Sequence, residues 1–288
     1  LGAALGLVYD RVRWEEKALV AKARSKGIPL KVLDAKNLVL RLNKGNQNPQ
    51  ETFGPVLLER CISHLRGLHL TAFLESQGVE VINPFKVSEI CGNKFFTTMA
   101  LERAGVPTPR TSITFDADSA LKACYELGFP AVLKPVIGSW GRLVMRLRDE
   151  ESARDIFEVR QQLNDSYTQI YYIQEMVNRP PRDIRAIVIG GRIVTAVYRH
   201  STLGEWRTNV ARGAKTSPYA VSGEFEEVVI KAAEAVGGGV LGVDVMEGDD
   251  GFLVNEVNST VEFRGASSAT DTDIPGAILE YALSKLRR

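Results

Sequence analysis

The sequence has no surplus of either charge: 36 Lys and Arg stand against 35 Asp and Glu, a formal net charge of +1. That balance gives no argument for nucleic acid or an anionic membrane as a partner. Cysteine is scarce. Cys61, Cys91 and Cys124 are widely spaced with no C-x-x-C pair, which argues against a disulfide frame or zinc site and reads as reduced thiols. His64, His69 and His200 are equally scattered, so no His-based metal site is expected. Residues 1–8 are apolar but too short to span a membrane and lack a basic region ahead of them; they read as a first strand. A cytoplasmic protein is expected. Also missing are a Ser-His-Asp or Cys-His arrangement, internal repeats and low-complexity tracts. What is there is ordinary globular composition, 44% hydrophobic and 25% charged over 288 residues, enough for two or more domains with substantial cores.

Strands at 5–9, 30–33, 55–58 and 79–82 alternate with helices at 14–25 and 65–77, which implies a parallel sheet covered on both faces. The polar stretch 41–54 reads as a loop. A helix over 86–104 is interrupted at Cys91-Gly92-Asn93 and stops at Gly105. A second α/β segment follows: strands 110–115, 131–133, 142–147 and 170–177, with helices 118–127 and 150–163. The last third holds strands 184–189 and 193–200, a loop through 207–213, and helices 224–236 and 275–286.

Between the last two helices, the apolar runs 240–246 and 252–257 flank Glu247-Gly248-Asp249-Asp250-Gly251, a strong hairpin signal. The spacing predicts Met246 opposite Phe252 and Asp244 opposite Val254. Alternation then puts Asp244, Glu256 and Asn258 on one face, with Asp244 and Glu256 on a diagonal of roughly 7–8 Å. Such a gap suits a hard cation such as Mg²⁺ held by oxygens, some of them from substrate phosphates. The alternative is three polar residues on a solvated sheet face.

The other half of a phosphate site lies at Lys134-Pro135-Val136-Ile137-Gly138-Ser139-Trp140-Gly141-Arg142, between two short strands. Glycines there let backbone N–H groups approach an anion, and Lys134 at the strand end offers a point charge. The loop is neither a Walker A nor a dinucleotide fingerprint; by itself it also fits a tight hairpin. Lys94, at a helix start, is a second cation or simply a surface lysine. Gln174, Glu175, Met176 and Val177 could offer backbone groups to an adenine edge. Arg182, Arg185, Arg199, Arg207 and Arg212 crowd one stretch. An inward-facing Arg needs a carboxylate or phosphate partner, with Asp183 and Glu205 as the local carboxylates.

In this order and spacing, K-P-V-I-G-S-W-G-R, Q-E-M-V…R-D-I-R, R-T-N-V-A-R-G and V-D-V…N-E-V-N resemble the ATP-grasp ligases, and within them the RimK-like branch. The match covers nearly the whole chain. G-S-W-G-R, E-R-C-I-S, A-E-A-V-G-G-G-V and N-E-V-N-x-T-x-E-F resemble the amino-carrier-protein ligases of lysine and arginine biosynthesis, the LysX/ArgX group. The resemblance implies an α/β chain of the α+β ATP-grasp kind: an N-terminal parallel α/β domain (1–90), a central lid (91–175) and a C-terminal metal-binding part (176–288). It also implies roles. Lys94 and Lys134 would contact ATP phosphates under the loop Gly138, Ser139, Trp140, Gly141 and Arg142. Gln174, Glu175, Met176 and Val177 would line the adenine pocket, with Asp183 near the nucleotide. Asp244, Glu256 and Asn258 would bind two Mg²⁺, and Arg185, Arg199, Arg207 and Asn209 would face the acyl phosphate and incoming amino acid.

The implied reaction transfers the γ-phosphate of ATP to the C-terminal Glu of a small acidic carrier protein, after which the α-amino group of 2-aminoadipate or glutamate attacks. Homodimers or tetramers are the implied assembly. After E-F-K, aminoadipate-type members carry Asn-Thr or Asn-Ala and glutamate-type members Gly-Phe; here Arg264 stands at the Lys and is followed by Gly265 and Ala266, the Gly of one type and the Ala of the other. The small Ala266 leaves room for the longer substrate, so aminoadipate is expected, with glutamate or dual use open. Other readings are a ligase adding glutamate to another protein tail, and a non-catalytic nucleotide-binding scaffold.

Overall fold

The computed structural model describes residues 5–42, 49–163, 165–202 and 215–286. The chain opens with β1 (Leu5–Tyr9), α1 (Trp14–Ser25), β2 (Leu30–Asp34), α2 (Pro49–Phe53), β3 (Val56–Glu59), α3 (His64–Ser76) and β4 (Glu80–Ile82). The strands pair in parallel in the order β2-β1-β3-β4, as the alternation of strand and helix requires. One difference lies in the stretch read as loop: α2 forms within it, with Pro49 at its first position, where a missing N–H costs nothing.

α4 (Phe85–Gly92) and α5 (Lys94–Arg103) follow, separated at Asn93. Asn93 has an extended backbone, and its side chain accepts from Phe95 N–H at 3.0 Å, so α5 starts with Lys94 at its first turn. β5 (Thr111–Thr114), α6 (Ala117–Leu127), β6 (Ala131–Lys134), β7 (Met145–Leu147), α7 (Glu150–Gln162) and β8 (Tyr171–Glu175) form a second unit. Its sheet, β5-β8-β6-β7, is antiparallel. β7 is shorter than the expected 142–147: Trp140 (φ 59°), Gly141 (φ 63°) and Leu143 (φ 56°) take left-handed backbone, which no strand accommodates.

The last unit contains β9 (Arg182–Ile189), β10 (Arg192–His200), β11 (Lys215–Pro218), α8 (Gly223–Ala235), β12 (Val240–Gly248), β13 (Gly251–Asn258), α9 (Arg264–Ala269) and α10 (Ile274–Lys285). Its antiparallel sheet runs β11-β10-β9-β12-β13. β11 and α9 were not expected. β11 is a polar edge strand with no apolar run to signal it, and α9 is a short, Ser-rich helix.

Leu5, Leu7 and Leu58 of the first sheet share one core with Ile187, Val240 and Phe263 of the last unit and with α10. α8 covers the opposite face of the last sheet. The second sheet buries Leu133, Phe157, Tyr171 and Ile173 in a core of its own. No helix among the described residues is long and apolar enough to cross a membrane.

Candidate functional site

A cavity of about 1060 Å³ opens where the three units meet. Its floor is one face of the last sheet. Alternation sends Ile184, Ala186 and Val188 into the core beneath and turns Asp183 and Arg185 toward the cavity. Register does the rest. Arg185 pairs with Asp244 across β9 and β12, and Asp244 pairs with Glu256 across β12 and β13, so the three stand in one row.

That pairing corrects the expected hairpin register. Asp244 faces Glu256, not Val254, and Met246 faces Leu253, not Phe252. Two shifts add up: the turn closes on Gly248 opposite Gly251, which moves Met246 one residue along to Leu253, and a bulge between Asp244 and Val245 leaves Asn255 as the extra residue on β13 and carries Asp244 on to Glu256. The expected shared face of Asp244, Glu256 and Asn258 survives, but Asp244 and Glu256 are direct neighbours instead of a diagonal pair. The bulge also re-aims Asn255, whose Oδ1 accepts from Lys134 Nζ at 2.8 Å.

The acidic and basic groups of the floor are already matched. Arg185 grips Asp244 with both arms, Nε on Oδ1 and Nη2 on Oδ2 at 2.8 Å. Arg199 donates to both oxygens of Asp183 at 2.7 Å and reaches Asp244 Oδ2 at 3.0 Å. Burial would raise the Asp244 carboxyl, but the two guanidiniums overcome it and hold the group below the usual carboxylate range. Asp183, expected beside the nucleotide, thus has a buried arginine as its partner. Gly242 makes room for this row: a Cβ there would stand 3.3 Å from Arg185 Cδ.

Lys134, at the end of β6, is buried and held by Gln174 Oε1 at 2.5 Å as well as by Asn255. Burial pushes its ammonium down to about 7, helped by Lys94 and Arg179 nearby and opposed by Glu256 and Asp244. Gln174 is occupied in orienting this lysine; its Nε2 donates to Thr111 Oγ1 at 3.0 Å. The Glu175 carboxylate turns outward to Arg110, 2.7 Å away. Met176 and Val177 line the cavity just past the end of β8. Lys94 Nζ donates to the Gly138 carbonyl at 2.8 Å and stands 3.8 Å from Glu256 Oε1.

Gly138, Ser139, Trp140, Gly141 and Arg142 roof the cavity. The Arg142 guanidinium lies over the Trp140 ring, 4.9 Å from its centroid, and Trp140 Nε1 donates to Glu262 Oε1 at 3.0 Å. Arg264, Gly265 and Ala266 line the far end. Arg207 and Asn209, with Glu205 and Arg212, lie outside the described residues. Sequence reasoning did not single out Arg13, Arg179, Asn255 or Glu262, all of which line the cavity. Only Asn255 left a trace, as a polar pair with Glu256 that breaks the alternation of β13.

Among the described residues, no three His, Cys, Asp or Glu side chains form a group that could hold a metal. The donor set here is two carboxylates and an amide, all hard oxygens, and Asn258 supports the fit. Its Nδ2 is buried with no hydrogen-bond partner, and turning the amide over presents its oxygen instead.

A family profile described as a RimK-like ATP-grasp domain matches residues 91–282, and one described as a LysX preATP-grasp domain matches residues 5–90. The chain is 36% identical to the alpha-aminoadipate--LysW ligase LysX of Saccharolobus solfataricus, covering 96% of this chain and 99% of that one. It is 37% identical to the glutamate--LysW ligase ArgX of Sulfolobus acidocaldarius, covering 99% of each. A crystal structure of a RimK domain ATP-grasp protein from Sphaerobacter thermophilus superposes with a TM-score of 0.79 at 22% identity, covering 97% of this chain and 99% of that one.

Proposed function

The chain belongs to the RimK-like ATP-grasp family, and from that premise we propose that it is an ATP- and Mg²⁺-dependent ligase. It joins the C-terminal carboxylate of an amino-group carrier protein to the α-amino group of 2-aminoadipate. The observation that carries this reading is one cavity in which hard oxygen donors, buried cations and a glycine roof from three units face a common space.

In this reading Asp244, Glu256 and Asn258 hold magnesium, two ions per site, which offsets charge on the phosphates. Lys134 and Lys94 neutralise the phosphate oxygens. The carrier carboxylate attacks the γ-phosphorus and ADP leaves. The amine then attacks the acyl carbon, phosphate departs, and the amine proton is released. Arg185 and Arg199 face the acyl phosphate and the amino acid, and Arg207 and Asn209, which lie outside the described residues, are assigned to the same substrates. The roof 138–142 excludes water, which would hydrolyse the acyl phosphate. Met176 and Val177 receive the adenine, with Gln174, Glu175 and Asp183 around the nucleotide.

The preference for aminoadipate follows from Ala266, 4% exposed at the cavity wall, where a small side chain leaves space for one more methylene. Such a difference discriminates by only about 1–3 kcal/mol. The similarity to a glutamate ligase favours a second reading, in which glutamate is also accepted. Purified protein incubated with ATP, Mg²⁺, carrier protein and each amino acid tests both: the carrier is expected to gain the mass of aminoadipate most efficiently, and no gain with either amino acid overturns the assignment. Glu256→Ala is expected to abolish ligation and leave the circular dichroism spectrum unchanged.

A further inference from the structure

The segment that lines the far end of the cavity is held by residues from the opposite end of the chain. Arg13, Trp14 and Glu15, where α1 begins, meet Glu262, Phe263 and Arg264 in matched order. Arg13 Nη1 lies 3.3 Å from Glu262 Oε1. The Trp14 and Phe263 rings meet edge to face with centroids 5.8 Å apart. Glu15 Oε1 accepts from the backbone N–H of Phe263 at 3.2 Å and of Arg264 at 3.1 Å, across 248 and 249 residues of sequence.

The N–H groups at a helix start have no partner within the helix, and Phe263, which precedes α9, supplies no side-chain cap. Glu15, 5% exposed, fills that need from another unit of the fold. On the opposite side, Thr216 Oγ1 donates to the Gly265 carbonyl at 3.1 Å. Residues 263–266 therefore take their position from two outside anchors.

We propose that Glu15 is a positioning residue for the amino-acid acceptor. By fixing the backbone at 263 and 264, it sets how far Gly265 and Ala266 stand from the reacting centre, and so which length of acidic amino acid is admitted. This rests on the reading of the cavity as a carrier-protein ligase site. The same clasp reaches the roof, because Glu262 Oε1 accepts from both Arg13 and Trp140.

The test compares Glu15→Ala with Glu15→Gln, which keeps a carbonyl acceptor. Glu15→Ala is expected to raise KM for aminoadipate about tenfold and to shift the aminoadipate-to-glutamate ratio of kcat/KM. KM for ATP should stay where it is. Glu15→Gln should restore most of the loss, and hydrogen exchange at the 263 and 264 amides should quicken in the alanine variant alone. Equal losses for ATP and both amino acids, or unchanged constants throughout, overturn the role of Glu15 and leave the ligase reading standing. A wild-type protein that forms no amide with either amino acid overturns both.

Discussion

The core under the first sheet and the core of the 111–175 unit differ in what they share. The first joins β1 and β3 to the last sheet, α10 and Phe263, so the two ends of the chain form one apolar body. The second is closed on itself around Leu133, Phe157 and Ile173. Hydrogen bonds cross from this unit to the body at the cavity: Lys134 to Asn255, Trp140 to Glu262 and Lys94 to the Gly138 carbonyl. Apolar burial is non-directional and hard to exchange, whereas hydrogen bonds can be traded for bonds to water or a ligand. The body therefore carries rigidity, and the seam between it and the roofed unit is the part whose bonds can be exchanged.

Asp244→Ala should break the comparison hardest, because it removes the carboxylate between the buried Arg199 and the partly buried Arg185 of the body. A loss of about 3–5 kcal/mol in unfolding free energy is expected alongside loss of turnover, read from a denaturant titration. Unchanged stability would mean that the body does not depend on its charge pairing.

Lys134 sits on the seam, and its ammonium, lowered by burial to about 7, gives it a pH signature. Above that pH the ligand-free lysine is neutral, and triphosphate favours the charged form. ATP binding at pH 8 should then take up a proton, and affinity should fall by up to about tenfold per pH unit above 7. Calorimetry in two buffers of different ionisation enthalpy reads the uptake, and Lys134→Arg should abolish it. The stability sign is the reverse. Between about 7 and the ordinary lysine value near 10.4, the unfolded chain holds the proton that the folded one lacks, so stability rises with pH across that window.

Trp140→Phe should give the smallest effect, a loss of about 1 kcal/mol in closure seen as a roughly fivefold rise in KM for ATP. The melting temperature should not move. A drop in melting temperature would show that the roof is part of the body after all.

Much of the fold was legible because its elements announce themselves locally. α1 ran over the predicted residues, since its capping and its apolar spacing are both local. The break at Asn93 followed from Gly92 and an N-capping Asn. The cavity-facing positions of Lys134, Asp244, Glu256 and Asn258 followed from strand ends and alternation. The register of the hairpin was not legible. The turn closes one residue away from where the flanking apolar runs suggest, and a bulge at Asn255 adds a second shift that alternation, which counts only an unbroken strand, does not register. α9 escaped because its start is held by Glu15, 248 residues away, and β11 because a polar edge strand carries no apolar alternation.

The sequence by itself determined which residue types could serve phosphates and cations, and on which strands they sit, because side-chain chemistry and the two-residue period of a strand are local properties. Only the tertiary structure decided who neutralises whom. That Arg185 and Arg199 both hold Asp244, that Gln174 and Asn255 hold Lys134, and that Glu15 clasps the start of α9 depend on through-space distances. Those distances are set by sheet register and domain packing, for which linear spacing carries no record.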